Sequence, residues 1–275
     1  MIKVGIIGAN GYTGGELLRL LAGHSGVKVT YVTSRSEAGK RVAEAFPALS
    51  VYKDLRFSEF SAEAAARECQ TVFLCLPHAA GAAAAGALRE SGLRLIDLSA
   101  DFRYRDVGLY EKTYKVTHPA RELNKTAVYG LPELNRAEIK KADLISNPGC
   151  YTTCSILPLY PLIKENIIAH SSVIIDAASG TSGAGKKAEF DFSFCEVNEN
   201  FKAYAVTTHR HASEIEAILS EHTQKAVTVC FTPHLLPVQR GILATIYAPV
   251  KKAGLTPAEV DGVYNKYYGD ERFVS

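Results

Sequence analysis

A cysteine at position 150 follows a turn and begins a helical pattern. The apolar residues Leu144 and Ile145 run into Asn147-Pro148-Gly149, which are turn-forming residue types, and helical apolar spacing starts beyond Cys150. The unpaired N–H groups at a helix N-terminus and the positive end of its dipole favour thiolate over thiol, and they could also hold an oxyanion. Cys150 is therefore a candidate nucleophile. The alternative is that it is a small buried hydrophobe.

Two histidines, His209 and His211, precede a second helical pattern. Imidazole titrates near neutrality, so it can take the proton of a thiol and return it to a carbonyl oxygen. We predict that His211, next to the helix start, partners Cys150, with Glu214 near enough to orient it or to meet the substrate. His209 could instead be structural. Two histidines at i and i+2 on a strand share one face and could suggest a metal, but no cysteine or carboxylate cluster accompanies them, so we expect no metal site.

A glycine-rich segment, GANGYTG at positions 8–14, follows the first apolar run and opens a helical pattern. In that context backbone amides and the helix dipole can hold a pyrophosphate, so the segment predicts dinucleotide binding. The alternative is a tight packing turn. The expected cofactor contacts are Gly8, Asn10, Gly11, Tyr12, Thr13 and Gly14.

The segment after the second predicted strand indicates which dinucleotide is bound. An acidic residue there would bond a free ribose 2′-hydroxyl, but the sequence reads Thr33-Ser34-Arg35-Ser36. Hydroxyls and a guanidinium suit a 2′-phosphate, which favours NADP over NAD, although Arg35 could also be a solvated surface charge. Pro77 ends a later strand at the sheet edge where such folds bind ligands, and we assign its neighbour His78 a structural role.

Further residues could hold an anionic substrate. Arg103 follows the carboxyl end of a predicted strand, and Arg240 precedes a strand and could grip a carboxylate in a fork. The segment SGTSGAGKK at 179–187 is an amide-rich, flexible loop that could wrap a carboxylate or phosphate, or could be a mobile surface loop. Together with the cysteine, the histidine and an NADP site, these residues suggest an aldehyde or acyl-phosphate oxidoreductase that works through a thioester.

The elements that must position these residues change character near residue 150. Strand patterns at 3–8, 27–33, 71–76, 93–98 and 142–146 alternate with helical patterns, which predicts an α/β, Rossmann-type doubly wound parallel sheet. Strand patterns at 172–178, 227–232 and 241–248 and a capping box at Thr256 predict an α+β unit after it. We therefore expect an NADP-binding domain over residues 1–149 and a catalytic, substrate and dimerisation domain over 150–275.

Composition excludes several other classes of protein. The chain has 275 residues, 47% of them hydrophobic, with a net charge of +2 and interspersed charges, so neither a nucleic acid nor a membrane surface is an expected partner. The six cysteines are scattered and form no C-x-x-C pair, which indicates reduced thiols in a cytoplasm. No leader segment and no run of about 18 apolar residues is present, so we expect a cytoplasmic chain.

Six segments form a further pattern. In chain order they are GANGYTG at 8–14, SADFR at 99–103, YGLPE at 129–133, SNPGCY at 146–151, SGTSGAG at 179–185 and HRH at 209–211. These segments, in this order, resemble those of the N-acetyl-gamma-glutamyl-phosphate reductases, which are semialdehyde dehydrogenases of arginine biosynthesis.

The resemblance implies NADPH-dependent reduction of N-acetyl-L-glutamyl 5-phosphate to N-acetyl-L-glutamate 5-semialdehyde with release of phosphate. It also implies Cys150 as nucleophile, His211 as acid/base, and a homo-oligomer, either a dimer or a tetramer. Ser179 and Gly180 are then expected at the cofactor, and the expected substrate contacts are Arg103, Asn147, Ser182, Gly183, Glu214 and Arg240.

The chain departs from that pattern in three places. Thr152 stands where the family often has proline, and Ala212-Ser213 replaces a Thr-Pro pair. Family members continue past residue 275, so we expect a C-terminal truncation that leaves a sheet edge exposed and the NADP pocket incomplete.

Three other functions are alternatives to this reductase. They are an aspartate or carrier-linked aminoadipate semialdehyde dehydrogenase, an NADP-binding sensor or scaffold without turnover, and a cysteine hydrolase. The hydrolase would leave the phosphate-binding glycines without a role.

Overall fold

The structure, a computed structural model, describes residues 1–186 and 188–275. These residues form two compact units. The first unit comprises Met1–Gly130 and Asn135–Pro148, and the second comprises Leu131–Leu134 and Gly149–Ser275.

The first unit is built on a seven-stranded sheet in which all neighbouring strands are parallel. The strands are β1 (Ile2–Ile7), β2 (Val27–Thr33), β3 (Phe57–Ser58), β4 (Thr71–Leu74), β5 (Arg94–Asp97), β6 (Val128–Tyr129) and β7 (Leu144–Ser146). Their order is β3-β2-β1-β4-β5-β7-β6, which confirms the predicted doubly wound sheet. The order reverses between β1 and β4, and the carboxyl ends of these two strands form the edge at which such sheets bind ligands.

Helices cover both faces of this sheet, as the near-continuous apolar strands require. Along β1, Val4 and Ile6 pack into one core cluster with Leu18, while Ile7 packs into the cluster on the opposite face with Leu88. This alternation follows from the two-residue period of a strand. The helices are α1 (Tyr12–Ala22), α2 (Val42–Ala45), α3 (Ala62–Glu68), α4 (Ala80–Glu90), α5 (Val107–Tyr114), α6 (Arg121–Asn124) and α7 (Pro132–Lys141), the last of which begins in the second unit.

The second unit combines a four-stranded mixed sheet with helices, as predicted. Its strand order is β11-β8-β10-β9; β8 and β10 are parallel, and the two outer strands are antiparallel to their neighbours. Helices α8 and α10 pack together and against the sheet, burying Ile156, Ile215, Leu219 and Ile175. The elements are α8 (Cys150–Lys164), β8 (Val173–Gly180), α9 (Phe194–Val197), β9 (Lys202–Ala203), α10 (His211–Thr223), β10 (Val229–Leu236), β11 (Ile242–Tyr247) and α11 (Pro257–Tyr268).

Strand β10 extends farther than the sequence predicted. The expected strand ended at Thr232, because proline lacks the N–H of a ladder residue and Pro233 follows. In the structure the strand continues to Leu236, and Pro233 pairs in register with Ala177 of β8. The carbonyl of Pro233 still accepts a hydrogen bond from the amide of Tyr204 at 3.0 Å, so the main chain beyond the proline stays bonded.

Helix α8 contains two prolines, and α11 compensates for one of them. Pro161 has no N–H to donate to the carbonyl of Leu157, four residues earlier. The buried hydroxyl of Tyr268 donates to that carbonyl at 2.8 Å, and the hydroxyl of Tyr264 donates to the carbonyl of Pro158 at the same distance. Two tyrosines of α11 therefore bind the middle of α8.

We expect Tyr268→Phe to lower the free energy of unfolding by about 1–3 kcal/mol, because the partly buried carbonyl of Leu157 loses its donor. Urea unfolding measures the change. Tyr267→Phe is the matched control: it removes a hydroxyl of the same helix that donates to the exposed Glu165, and should cost less than about 1 kcal/mol. Equal losses in the two variants would show that the bond to Leu157 contributes nothing specific.

Candidate active site

Helix α8 begins at Cys150, with Gly149 as its N-cap, and its first turn carries no acidic residue. The Cys150 side chain is exposed at this helix end, where the main-chain N–H groups lack helical acceptors. Cys154, one turn later, is different because burial raises the pKa of its thiol to about 11. Cys150 is thus the thiol of this helix that combines access to solvent with a helix N-terminus.

His211 contacts the residue that precedes the cysteine. A Cβ atom placed on Gly149 would lie 2.6 Å from Nε2 of His211 and 2.8 Å from Oγ1 of Thr152, which is closer than real Cβ contacts. Only glycine therefore leaves room for the imidazole at the start of α8. In the sequence Gly149 is only a turn-forming residue type, and nothing in its local pattern indicated this close approach.

Glu214 also contacts Gly149. Its side chain is fully buried, and Oε1 accepts a hydrogen bond from the amide of Gly149 at 3.0 Å. Glu214 lies in the first turn of α10, one turn beyond His211. The sequence predicted that this carboxylate would orient His211 or meet substrate; in the structure it holds the main chain at the N-cap of α8.

The expectation that His209 and His211 share one face of a strand is wrong. His211 is the first residue of α10, and His209 lies in the turn before it. Nδ1 of His209 accepts a hydrogen bond from the amide of His211 at 3.2 Å, and the two rings meet edge to face at 4.8 Å. Burial, and secondarily the charge of Arg210, lower the pKa of His209 to about 4, so its imidazole is neutral at pH 7 and free to accept that bond.

We expect His209 to make the free energy of unfolding fall as the pH is lowered. In the unfolded chain its pKa is near 6.5, so between pH 6.5 and about 4 the unfolded state binds more protons, and stability falls as the pH falls. The loss should be on the order of 2 to 3 kcal/mol across this window. His209→Asn keeps an acceptor for the His211 amide but does not titrate, so urea unfolding at pH 7 and pH 4 should show a smaller loss. Identical losses in both proteins would contradict the assignment.

An aromatic cluster that the sequence did not indicate surrounds the two histidines. Tyr151 is almost fully buried, and its ring contacts those of His209, His211 and Phe231 at centroid distances of 5.4, 5.8 and 5.2 Å. Its hydroxyl bonds that of Tyr204 at 3.0 Å, and burial raises the pKa of Tyr151 well above its usual range. Adjacency to Cys150 is the one signal in the sequence that could have marked Tyr151.

Part of the segment at 179–187, predicted as a loop, has regular secondary structure. The strand runs through Gly180, and a 3-10 turn follows at Thr181–Ala184. The amides of Thr181 and Ser182 donate to the carbonyls of Val238 and Gln239 at 3.0 and 3.1 Å. The prediction of an irregular loop is therefore wrong for residues 179–184, and Lys187 lies outside the described residues.

This turn brings several predicted contact residues together. A Cβ on Gly180 would lie 2.8 Å from the main-chain nitrogen of Arg240, so the two segments touch through their backbones. Ser179 is buried and its hydroxyl donates to the carbonyl of Gly180 at 3.0 Å, whereas Gly183 and the Arg240 side chain are exposed. The exposed groups are the ones that could meet an anion.

In the first unit, the three glycines of the motif at 8–14, which runs from the end of β1 into α1, differ in the space around them. Gly8 has φ +84°, and a Cβ there would lie 2.4 Å from the carbonyl oxygen of Cys75; a Cβ on Gly14 would lie 2.6 Å from Cα of Ala9. Gly11, the N-cap of α1, has open space, its nearest neighbour being the Gly8 oxygen at 3.6 Å. The chain itself thus requires glycine at 8 and 14 but leaves room at 11, beside exposed Tyr12 and Thr13, where a pyrophosphate could approach the helix N-terminus.

Hydroxyl and amide groups gather at the carboxyl end of β2. Nδ2 of Asn10 donates to Oγ of Ser36 at 3.3 Å, and the hydroxyls of Ser34 and Ser36 lie 3.5 Å apart. Arg35 is exposed beside them, and the nearby Glu37 forms an ion pair with Lys40 at 2.8 Å. These side chains fit a ribose 2′-phosphate.

The turn after β4 depends on a carboxylate that no sequence pattern indicated. Pro77 is exposed there, and Ala79 has a left-handed φ of 67°. Asp101 is buried; its Oδ1 accepts from the amide of Ala79 at 2.7 Å, and its Oδ2 accepts from that of Ala82 at 2.9 Å. Nδ1 of His78 accepts from the amide of Ala100 at 3.1 Å, a structural contact of the kind expected for His78.

Arg103 is only 6% exposed and holds main-chain carbonyls. Its Nε donates to the Asn147 carbonyl at 2.8 Å, and an Nη donates to that of Leu98 at 3.1 Å. The Asn147 side chain, which is half-buried, donates to the carbonyl of Pro148 at 3.3 Å. Arg103 therefore supports the turn that leads toward Cys150, which the sequence did not predict.

Comparison with known families and proteins gives a consistent result. Residues 3–142 match the family described as "Semialdehyde dehydrogenase, NAD binding domain", and residues 150–275 match "Semialdehyde dehydrogenase, dimerisation domain". Proteins named N-acetyl-gamma-glutamyl-phosphate reductase are similar over the whole chain. That of Acetivibrio thermocellus is 46% identical over 100% of this chain and 79% of its own length, and that of Campylobacter jejuni subsp. jejuni serotype O:6 is 48% identical over 99% and 78%.

Solved structures share the fold at lower identity. An aspartate semialdehyde dehydrogenase of Candida albicans with NADP has a TM-score of 0.72 at 19% identity and covers 97% of this chain and 76% of that one. The aspartate semialdehyde dehydrogenase II of Vibrio cholerae complexed with ASA has a TM-score of 0.69 at 17% identity and covers 98% of this chain and 80% of that one.

Among the described residues, no helix has the length and apolar character needed to cross a bilayer, and no three metal-ligating side chains cluster.

Proposed function

Because the chain belongs to the N-acetyl-gamma-glutamyl-phosphate reductase family of semialdehyde dehydrogenases, we propose that it reduces N-acetyl-L-glutamyl 5-phosphate to N-acetyl-L-glutamate 5-semialdehyde in arginine biosynthesis. The observation that carries the proposal is the placement of an exposed cysteine at the start of α8, with His211 against the preceding glycine. A helix N-terminus beside an imidazole is an arrangement suited to a thiolate nucleophile.

The reaction divides into acylation and reduction. His211 takes the thiol proton, and the Cys150 sulfur attacks the acyl carbon; the C–O bond to phosphate breaks, phosphate leaves with its electron pair, and a thioester remains. When bound, the reduced nicotinamide supplies a hydride to the thioester carbon. The resulting oxyanion collapses to the aldehyde as the C–S bond breaks. His211 then returns a proton to the Cys150 thiolate that is released. Main-chain N–H groups of the first turn of α8 are suited to hold the oxyanion.

We assign cofactor binding to three places. In the first unit, the N-terminus of α1 beyond Gly11 would hold the pyrophosphate, with Gly8, Asn10, Tyr12, Thr13 and Gly14 forming the loop around it. Ser34, Arg35 and Ser36 would hold the 2′-phosphate, so the cofactor is NADP(H), and Pro77 borders the carboxyl end of β4. In the second unit, Ser179 and Gly180 are also assigned to the cofactor.

Substrate anions would bind exposed or partly exposed polar groups. Ser182, Gly183 and Arg240 of the second unit offer amides and a guanidinium, and half-buried Asn147 is an assigned contact in the first unit. Arg103 is also assigned to the substrate, but it is buried and already donates to the Asn147 and Leu98 carbonyls, so it is the exception among these groups. On this assignment residues 1–149 act as the NADP-binding domain and residues 150–275 as the catalytic domain, in a cytoplasmic enzyme.

The experiment is phosphate-dependent reduction of NADP⁺ by the chain with N-acetylglutamate semialdehyde, run beside NAD⁺ and beside aspartate semialdehyde. Activity that requires phosphate and prefers NADP⁺ and the acetylated substrate would support the proposal. A preference for aspartate semialdehyde would reassign the substrate. Binding of NADPH by folded protein without turnover of either aldehyde would favour a non-catalytic role.

We further propose that one face of the second sheet meets a second copy of the chain. Ile174 of β8 pairs with Tyr247 of β11 on one side and with Cys230 of β10 on the other, and all three side chains are exposed, as is Leu243 of β11. An apolar row on an uncovered sheet face fits a self-association surface, and the match to a dimerisation domain makes a second copy its occupant.

Light scattering should find a dimer or larger oligomer, and Tyr247→Lys should halve the molar mass in solution or reduce it further. A monomeric parent protein, or an oligomer insensitive to this change, would contradict the proposed face.

A further inference from the structure

Two side chains of α10 converge on Gly149, the residue before the proposed nucleophile. Glu214 accepts the hydrogen bond of the Gly149 amide at 3.0 Å, and Nε2 of His211 occupies the space where a Gly149 side chain would stand. His211 and Glu214 are three residues apart in one helix, so they lie on the same face. Helix α10 therefore meets Gly149 through one hydrogen bond and one close packing contact.

Burial and bonding distinguish Glu214 from a substrate contact. The side chain has no exposed surface, and one carboxylate oxygen is already committed to a main-chain donor. A buried carboxylate is tolerated when such donors compensate for lost hydration, and the first turn of α10 favours an anion. The bond spans 65 residues of sequence and connects the starts of the two helices that carry Cys150 and His211.

We propose that Glu214 is a positioning residue: by holding the amide of Gly149 it fixes the first turn of α8 against α10, and so keeps Cys150 in register with His211. This rests on the proposed function for its effect on turnover. It differs from the role expected by resemblance, because Glu214 acts through Gly149 and not through its charge on the substrate.

Two substitutions separate position from charge. Glu214→Gln keeps an oxygen that can accept the Gly149 amide but removes the charge, whereas Glu214→Ala removes both. We expect Glu214→Ala to lower kcat at least about a hundredfold with KM for the substrate within about threefold, and Glu214→Gln to keep kcat within about fivefold. A tenfold or larger rise of KM in Glu214→Gln would overturn the proposal in favour of direct substrate binding.

The matched control is Glu216→Ala. Glu216 lies in the same helix and also accepts a main-chain hydrogen bond, but from the amide of Val229 at 2.9 Å and not from Gly149. Glu216→Ala should lower the urea midpoint, because a carboxylate–amide hydrogen bond is lost, and should leave kcat within about twofold of the parent value. A kcat loss in Glu216→Ala as large as that in Glu214→Ala would overturn the proposal, because any loosening of α10 would then suffice.

A measurement without substrate keeps this inference separate from the proposed function. The rate of Cys150 alkylation by iodoacetamide, followed on its own peptide by mass spectrometry, should be the same in Glu214→Gln as in the parent and differ at least threefold in Glu214→Ala. Equal changes in both variants would indicate a charge effect and overturn the proposal. If Glu214→Ala does not fold, the KM and the alkylation rate of Glu214→Gln still test the positioning role. If the parent protein reduces no acyl phosphate, that result rejects only the proposed function.

Discussion

Cys150→Ser is expected to lower kcat by at least about a thousandfold, because a serine hydroxyl is a far weaker nucleophile at neutral pH and forms an ester in place of a thioester. Cys150 is exposed at the start of α8, and the substitution changes one atom, so the free energy of unfolding should stay within about 0.5 kcal/mol of that of the parent. NADPH binding should be retained. Steady-state rates, unfolding and cofactor fluorescence test these three expectations together.

Two other cysteines provide controls for this substitution. Cys195 is exposed but lies in α9, and Cys154 is half-buried one turn into α8 with its pKa raised to about 11 by burial. Serine at either position should leave kcat within about threefold. Residual turnover in Cys150→Ser near the parent rate would remove the thioester from the mechanism, and an equal loss in Cys154→Ser would point to disruption of α8 instead.

Gly8→Ala should lower the free energy of unfolding of the first unit by at least about 3 kcal/mol, which is a large fraction of the stability of an ordinary domain. The added Cβ would lie 2.4 Å from the main-chain oxygen of Cys75, which cannot move without displacing β4, and φ is +84°. Gly11→Ala is the matched comparison, three residues away in the same loop. Its Cβ meets nothing closer than 3.6 Å, so the fold should be retained.

The pair separates folding from cofactor binding. If the space at Gly11 admits a pyrophosphate, Gly11→Ala should weaken NADPH binding at least about tenfold in a protein whose urea midpoint matches the parent. Unchanged NADPH affinity would show that the loop is a packing turn. A folded Gly8→Ala variant with the parent's midpoint would show that the loop relaxes more easily than its contacts imply.

Features set by local sequence were predictable. Strand β2 spans Val27–Thr33 as its β-branched run indicated, α8 begins at Cys150, and the capping box of Thr256 and Glu259 forms at the start of α11. Each depends on side chains within one or two turns of one another, where periodicity and capping preferences act directly. The alternation of such elements was sufficient to predict the doubly wound sheet.

Features that depend on distant partners were not predictable. The extension of β10 through Pro233 depends on its pairing with β8. The interpretation of His209 and His211 as a strand pair failed because α10 begins at His211. Asp101 caps α4 from 22 residues away, and Glu214 reaches Gly149 across 65. No spacing rule connects residues so far apart, so their acceptor roles become visible only when the chain is folded.

The tyrosine contacts of α11 have a consequence for biosynthesis on the ribosome. The Leu157 carbonyl of α8 receives its hydroxyl donor from Tyr268, 111 residues later. At about 5–20 residues per second, translation delivers that donor roughly 5 to 20 seconds after the proline-containing helix has been made. During this interval the nascent second unit would expose an incomplete helix and the apolar surface that α11 later covers. A chaperone that binds exposed apolar chain would therefore find its target in this part of the growing polypeptide.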